Sequence, residues 1–321
     1  MTALLDAMAG AGDRLVAASG GRIAFDPRRA LSRADDLDLG EPGPWSPNRH
    51  CRLVACRDGW IAVSLAREED RELIPAWTGA GFDEDPWDAV IASAATRDAA
   101  EMAAAAVELH MPAAVVGEAR APGAPSLQPG GRGGGEVIDL SALWAGPYCG
   151  ALLAEAGHDV IKVESPDRPD PTPLHTPRLD ARLNGGKRRR QMAFGGDELL
   201  DMIAAARVLI TSARPHALAR LGLNEARLFA INPRLLWIAI TAHGWHGENA
   251  MRVGFGDDCA AAGGLLIWEG SEPRFIGDAL ADPLTGVTAA TLALEALEAG
   301  ECGLLDVALA PTAATFADAL R

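Results

Sequence analysis

The spacing of apolar and polar positions changes along this chain, and each change marks an element. Two apolar-rich runs, Cys51–Ala55 and Trp60–Ser64, flank Arg57-Asp58-Gly59, a combination that predicts a β-hairpin. Helical patterns follow over Arg67–Trp77 and Thr96–His110, the second alanine-rich with Thr96 as its expected N-cap. After Gly135 strands and helices alternate. A short strand at Glu136–Leu140 precedes a helix from Pro147 to Ala156 that stops at Gly157, and Asp159–Val163 is the next strand. Helix Asp197–Ala206 then precedes strand Val208–Thr211, and helix Asn224–Ile231 precedes strand Leu235–Thr241. This alternation predicts an α/β fold: a doubly wound, mostly parallel Rossmann-like sheet, with ligands expected at its carboxyl edge and a second, smaller α/β domain beside it.

Punctuation divides the chain. Ala121 to Gly135 reads APGAPSLQPGGRGGG, the composition of a flexible linker. A phosphate-cradling glycine loop is the alternative, but no GxxxxGK[ST] run accompanies it. The expected domains are therefore residues 46–120 as a small α/β unit, 121–135 as linker and 136–321 as the large Rossmann-like domain. Residues 1–45 have few apolar periodicities and are left unassigned.

Charge narrows the set of partners. Forty-four acidic against 29 basic residues give a formal charge of -15, which repels nucleic acid and anionic membrane surfaces. Met1 to Arg14 has no basic segment followed by an apolar run, and no long uncharged apolar stretch occurs, so the expected location is the cytoplasm. Cys51, Cys56, Cys149, Cys259 and Cys302 form no CxxC pair and have no histidine at zinc-finger spacing. Free thiols and no metal are expected.

Asp282 stands directly before Pro283 in GDALADPLTG, which predicts a helix start that holds its carboxylate ionised at the positive end of the dipole. A carboxylate held that way serves either as a nucleophile or only as a helix cap. Gly286, in the first turns of that helix, marks close approach of a ligand or another backbone. The basic run Asn184 to Arg190 reads as a phosphate site or a solvated loop. Arg214 and Arg220 are ligand contacts at the sheet edge or surface arginines, and His243 and His246 are general bases or structural histidines. GxSxG, HExxH and a Rossmann GxGxxG are all missing, which removes the main support for serine hydrolase, zinc protease and dehydrogenase chemistry.

Read together and in order, VIDLSALWAGPYCGALLAEAGHDVIKVE, NGGKRRR, ARPHALARLGL, INPRLLWIAITAHG and GDALADPLTG resemble the class III CoA-transferases, the group of formyl-CoA transferase, carnitine CoA-transferase and α-methylacyl-CoA racemase. The resemblance spans about Val137 to Leu309. It implies transfer of coenzyme A from an acyl-CoA thioester to a carboxylic acid, with Asp282 as covalent nucleophile, CoA as substrate and no tightly bound cofactor. It places Ala145, Gly146, Lys187, Arg188 and Arg220 against the CoA nucleotide and diphosphate. It also makes the small unit, with RDGWIAVSLAREEDRELIPAW, a cap on the active site from the partner of a homodimer or a related subunit. Two features depart from the family. The small unit precedes the large one with no return segment after it, and Ser165 stands where some members carry an arginine against the nucleotide. No histidine near Gly254 to Asp258 matches the racemase branch, so transferase is preferred over the alternatives, a racemase or a non-catalytic CoA-binding homologue.

Overall fold

The computed structural model describes residues 2–131 and 133–320. In it β1 (Cys51–Ala55) and β2 (Trp60–Ser64) pair antiparallel across the Arg57-Asp58-Gly59 turn, as their apolar runs predict. The turn also caps a helix, because Asp58 Oδ1 accepts from Ala99 N at 2.8 Å. That helix is Ala99–Glu108 with Asp98, not Thr96, at the N-cap. The expected Arg67–Trp77 helix is two, Glu68–Glu72 and Ile74–Thr78. Pro75 explains the break, since it lacks an N–H and its ring crowds the carbonyl of Arg71. β3 (Ala113–Val115) pairs with β2 and closes a three-stranded antiparallel sheet.

The remaining strands are β4 (Gln128–Pro129), β5 (Val137–Asp139), β6 (Val160–Glu164), β7 (Arg188–Gln191), β8 (Val208–Thr211), β9 (Leu236–Thr241), the hairpin β10 (Ile267–Glu269) and β11 (Glu272–Arg274), and β12 (Glu301–Ala308). Among the described residues all of these but the β10–β11 hairpin form a seven-stranded sheet in the order β4-β12-β9-β8-β5-β6-β7, parallel except for β4. Winding runs outward from β5 to β7 and then restarts at β8 on the other side of β5. The reversal opens a crevice at the carboxyl ends of β5 and β8. The doubly wound sheet read from the sequence is the one observed.

Burial on both faces explains the continuous apolar strands. Val137, Val208, Ile210, Leu236, Ile238 and Ile240 point into one apolar cluster, while Ile138, Leu209, Trp237 and Ala239 point into the other. Residues 2–45 also have structure. Helix Thr2–Ala18 sends Leu4, Met8 and Leu15 into the first cluster, against Leu284 and Val287 of the helix Ala281–Ala299. The segment ahead of the small unit thus packs onto the large one. The linker is likewise anchored: β4 pairs with β12, and Gly130 N donates to Gly300 O at 2.8 Å. Arg132 lies outside the described residues.

Gly286 is required by helix packing rather than by a ligand. A Cβ there would lie 2.9 Å from Ala145 O and 3.0 Å from Tyr148 Cβ on the helix Ala145–Glu155. Gly286→Ala should lower stability by about 1–3 kcal/mol despite alanine's better helix propensity. Thermal melting checks this, and a stabilised variant would contradict the close contact.

Candidate active site

The helix that carries Asp282 begins at Ala281, with Asp282 in its second position and Leu280 as N-cap. Pro283 fits inside the first turn because the N–H it lacks is one with no intrahelical acceptor. The helix ends at Gly300, left-handed with φ 72°, where the sequence places its stop. Asp282 is not the cap, and its carboxyl is not held charged. Burial, only partly offset by Arg33 and reinforced by Asp257, Asp278 and Asp258, pushes it up to about 7. The residue still keeps some exposed surface. It packs closely against Gly256, where any Cβ would collide with Asp282 Oδ2.

Three more carboxylates surround it, and each is held. Asp278 receives Arg33 Nε at 2.6 Å, Arg33 Nη2 at 3.2 Å and Asn48 Nδ2 at 2.6 Å. Asn48 Nδ2 also donates to Asp257 Oδ2 at 2.7 Å, while Asp257 Oδ1 accepts from Ala279 N at 2.7 Å. That bond fixes Ala279 in a left-handed conformation, φ 46°, just before the helix that carries Asp282. Asp258 accepts from Ser64 Oγ at 2.6 Å and from Phe255 N at 3.0 Å. Burial raises Asp257 to about 6 and Asp258 to about 7. Among the described residues no group donates a hydrogen bond to the Asp282 carboxylate.

Arg33 also lies over the Trp144 ring, 5.2 Å from its centroid. Trp144 ends the loop after β5, where almost every backbone group is tied. Ser141 N donates to Asp139 Oδ1 at 3.0 Å, Lys162 Nζ to Ser141 O, and Ala142 N to Ser212 Oγ at 2.9 Å. Leu143 N reaches Asp170 at 3.3 Å, and Thr172 Oγ1 donates to Leu143 O at 3.4 Å. Leu143 is held at φ 68°, a strained value for a non-glycine residue. Arg33 comes from the segment left unassigned in the sequence and Asn48 from the start of the small unit, and no periodicity or motif marks either.

The residues that the family resemblance assigns to the CoA nucleotide are not all in one place. Ala145 and Gly146 begin a helix at the carboxyl end of β5, and their amides have no acceptor among the described residues. Lys187 is turned inward, its ammonium protons taken by Asp139 Oδ2 (2.8 Å), Pro147 O (2.7 Å) and Asn184 Oδ1 (2.8 Å). Arg188 lies on the exposed edge strand β7 and pairs with Asp159 and Glu136, which precede β6 and β5 at the sheet's amino edge. Arg220 is exposed at the far end of helix Pro215–Arg220, about 9 Å of helix from the carboxyl edge. Arg214, which N-caps that helix, sits at the edge itself. Burial, then the nearby Arg67 and Arg168, lowers its guanidinium from the ordinary value. His246 is exposed, whereas His243 is buried and lowered to about 3, first by burial and then by Arg252.

Fold and site together define a Rossmann-like α/β protein with a carboxylate recess beside the crevice of its sheet. The chain belongs to CoA-transferase family III, whose family model matches residues 133–320. It is 31% identical over 175 residues to a succinyl-CoA–D-citramalate CoA-transferase of Chloroflexus aurantiacus, covering 50% of this chain and 44% of that protein. It is 31% identical over 197 residues to a succinate–glutarate CoA-transferase of Agrobacterium fabrum, covering 54% of this chain and 49% of that one. A solved CAIB/BAIF family protein of Brucella suis matches with TM-score 0.51 and 30% identity, over 59% of this chain and 55% of that one. The chain therefore spans less than half the length of both curated relatives.

The raised Asp282 carboxyl has a stability consequence. Between its unfolded value and about 7 the folded state holds the extra proton, so stability is present at low pH and is lost as pH rises through about 7. Asp282→Asn removes that loss and should stabilise the protein by on the order of 1–3 kcal/mol more at pH 8 than at pH 5. Denaturant melts at the two pH values test this, and an equal effect at both would contradict a raised carboxyl.

Proposed function

We propose that this chain moves coenzyme A from an acyl-CoA thioester to a carboxylic acid, with Asp282 as the covalent nucleophile. One observation carries the assignment. Of four clustered acids, Asp282 is the one that keeps open surface and has no hydrogen-bond donor on its carboxylate, whereas Asp257, Asp258 and Asp278 are all engaged. Engaged carboxylates have their lone pairs committed. A free one adds to a carbonyl carbon.

The Asp282 carboxylate attacks the thioester carbonyl and expels CoA thiolate, giving an acyl-aspartyl anhydride. The thiolate then attacks the aspartyl carbonyl, releases the first acid and leaves an aspartyl-CoA thioester. The acceptor carboxylate repeats the sequence in reverse, so no net proton is consumed. Arg33 draws the Asp282 carboxyl toward its ionised form. Trp144 Nε1, buried without an acceptor, and the free amides of Ala145 and Gly146 are the donors available to a developing oxyanion. Gly286 is not among them, because it faces Ala145 O. For the CoA phosphates we favour Arg214 with Arg168 at the carboxyl edge over Arg188 and Arg220. Lys187 supports the loop from beneath.

Succinyl-CoA with citramalate, glutarate and other short acids is the first panel to assay, since those acids name the relatives. Hydroxylamine added during turnover should form a hydroxamate on the Asp282 peptide, and Asp282→Asn should abolish CoA exchange. A label on Asp278, or substantial exchange by Asp282→Asn, would sink the assignment.

The rate should rise with pH through about 7 as Asp282 loses its proton. Arg33→Met should move that midpoint upward, because the variant loses the one attractive charge. Arg214→Ala should weaken CoA-thioester binding about tenfold or more, by roughly 1.5–3 kcal/mol, while Arg188→Ala leaves it unchanged. Calorimetry decides between them.

A further inference from the structure

Spacing along the chain gives no metal motif, yet the fold gathers three ligand types just below the acid cluster. We propose that His243, Asp258 and Cys259 form a buried site for a thiophilic divalent cation such as zinc. One ligand atom from each lies within 4.8 Å of the others, and His243 Nε2 is buried with no hydrogen-bond partner. His243 follows β9, whereas Asp258 and Cys259 stand in helix Gly256–Ala262. All three side chains are buried, with His243 6% exposed and the other two at 0%.

The donor set suits zinc. Nitrogen, sulfur and carboxylate oxygen at about 2.0–2.3 Å from a common tetrahedral centre lie roughly 3.3–3.6 Å apart, so a pair at the 4.8 Å limit closes by about 1–1.5 Å, within the reach of side-chain rotation. Sulfur and nitrogen disfavour calcium and magnesium, which take oxygen. A neutral imidazole, a thiolate and a carboxylate cancel the charge of a divalent ion, which a buried site requires. The thiol proton, now directed at Ala242 O at 3.6 Å, passes to solvent when the metal binds. Asp258 comes already oriented, since Ser64 Oγ and Phe255 N hold its oxygens and Oδ2 faces Cys259 Sγ at 3.8 Å.

Gly254 supplies the way in. It is partly exposed, and a Cβ there would lie 2.6 Å from Cys259 Sγ and 2.8 Å from Asp258 Oδ2, so only backbone covers the cluster at that point. The surrounding charges are mixed. Asp257 and Asp282 lie close enough to favour a cation, whereas Arg252 opposes it, although Arg252 is tied to Glu118 at 2.5 Å.

The full chain, dialysed with zinc and then against metal-free buffer, should retain a single equivalent by elemental mass spectrometry. Cobalt in its place should show a thiolate-to-metal charge-transfer band in the near ultraviolet. Cys259→Ala should remove the band and weaken zinc by roughly a hundredfold or more, and His243→Gln should weaken it comparably. Cys302→Ala, which alters a buried thiol elsewhere, should keep both signals. Retention of no zinc, a cobalt spectrum without the band, a band that survives Cys259→Ala, or displacement by equimolar magnesium would each overturn the proposal. If Cys259→Ala fails to fold, the wild-type cobalt spectrum and His243→Gln decide. The readouts do not involve CoA, so failure here leaves the transferase reading standing.

Discussion

A charged carboxylate buried at the end of β5 sets the conditions for everything at the sheet's carboxyl edge. Asp139 has no solvent contact, and Lys187 and Lys162 outweigh its burial and hold its carboxyl below the usual range. Breaking such a pair by removing one member costs about 3–5 kcal/mol, because the other charge is left without compensation. The surrounding sequence reflects that constraint. Lys187 is drawn out of the basic run and under the next helix. Gly150 lets that helix pass, since a Cβ there would lie 2.8 Å from Asp139 Oδ2 and 2.9 Å from Lys187 Nζ. Lys162, with Asp170 as its own buried partner at 3.3 Å, ties down the Ser141 carbonyl, and Asp170 ties down the Leu143 amide. The strained loop that delivers Trp144, Ala145 and Gly146 to the crevice is held by these two ion pairs.

The acid cluster around Asp282 is built the opposite way. Asp139 and Asp170 each have a lysine, but Asp257, Asp278 and Asp282 share one guanidinium, that of Arg33, and Asp258 has only the more distant Arg67. Where counter-charge is short, burial raises carboxyl pKa values instead of being offset by pairing. Paired acids tie the scaffold together, and Asp282 is left partly exposed with its carboxyl raised. The same shortage is what makes a cation beside Asp258 electrostatically reasonable.

The large sheet was legible because its strands are apolar on both faces and its helices separate them at regular intervals. Val208–Thr211 agrees residue for residue, and the stop at Gly300 follows from glycine's tolerance of positive φ. Helix Thr2–Ala18 was not legible, since Leu4, Met8 and Leu15 stand among alanines and glycines whose small side chains blur the period. Charge runs misled for a different reason. Lys187 and Arg188 are adjacent in sequence, yet one is buried against Asp139 and the other is exposed at the amino edge. Nothing local distinguishes a charge that faces a partner across the fold from one that faces water. The grouping of Arg33, Asn48 and Asp278, like that of His243 with Cys259, exists only after distant segments are brought together.

Those distant segments bear on the unusual order of the chain. Ser64 on β2 bonds Asp258, Asn48 bridges Asp257 and Asp278, and Arg33 faces Asp282, all within one chain. The small unit packs on the large one through Cys51, Leu53 and Ala62 against Ala261, Leu266 and Phe275. Placing the small unit first therefore does not take it away from the site. The segments before and within it supply the cation and the amide that face Asp257, Asp278 and Asp282. Arg33 and Asn48, distant from Asp278 in sequence, thus meet it beside the helix that carries Asp282.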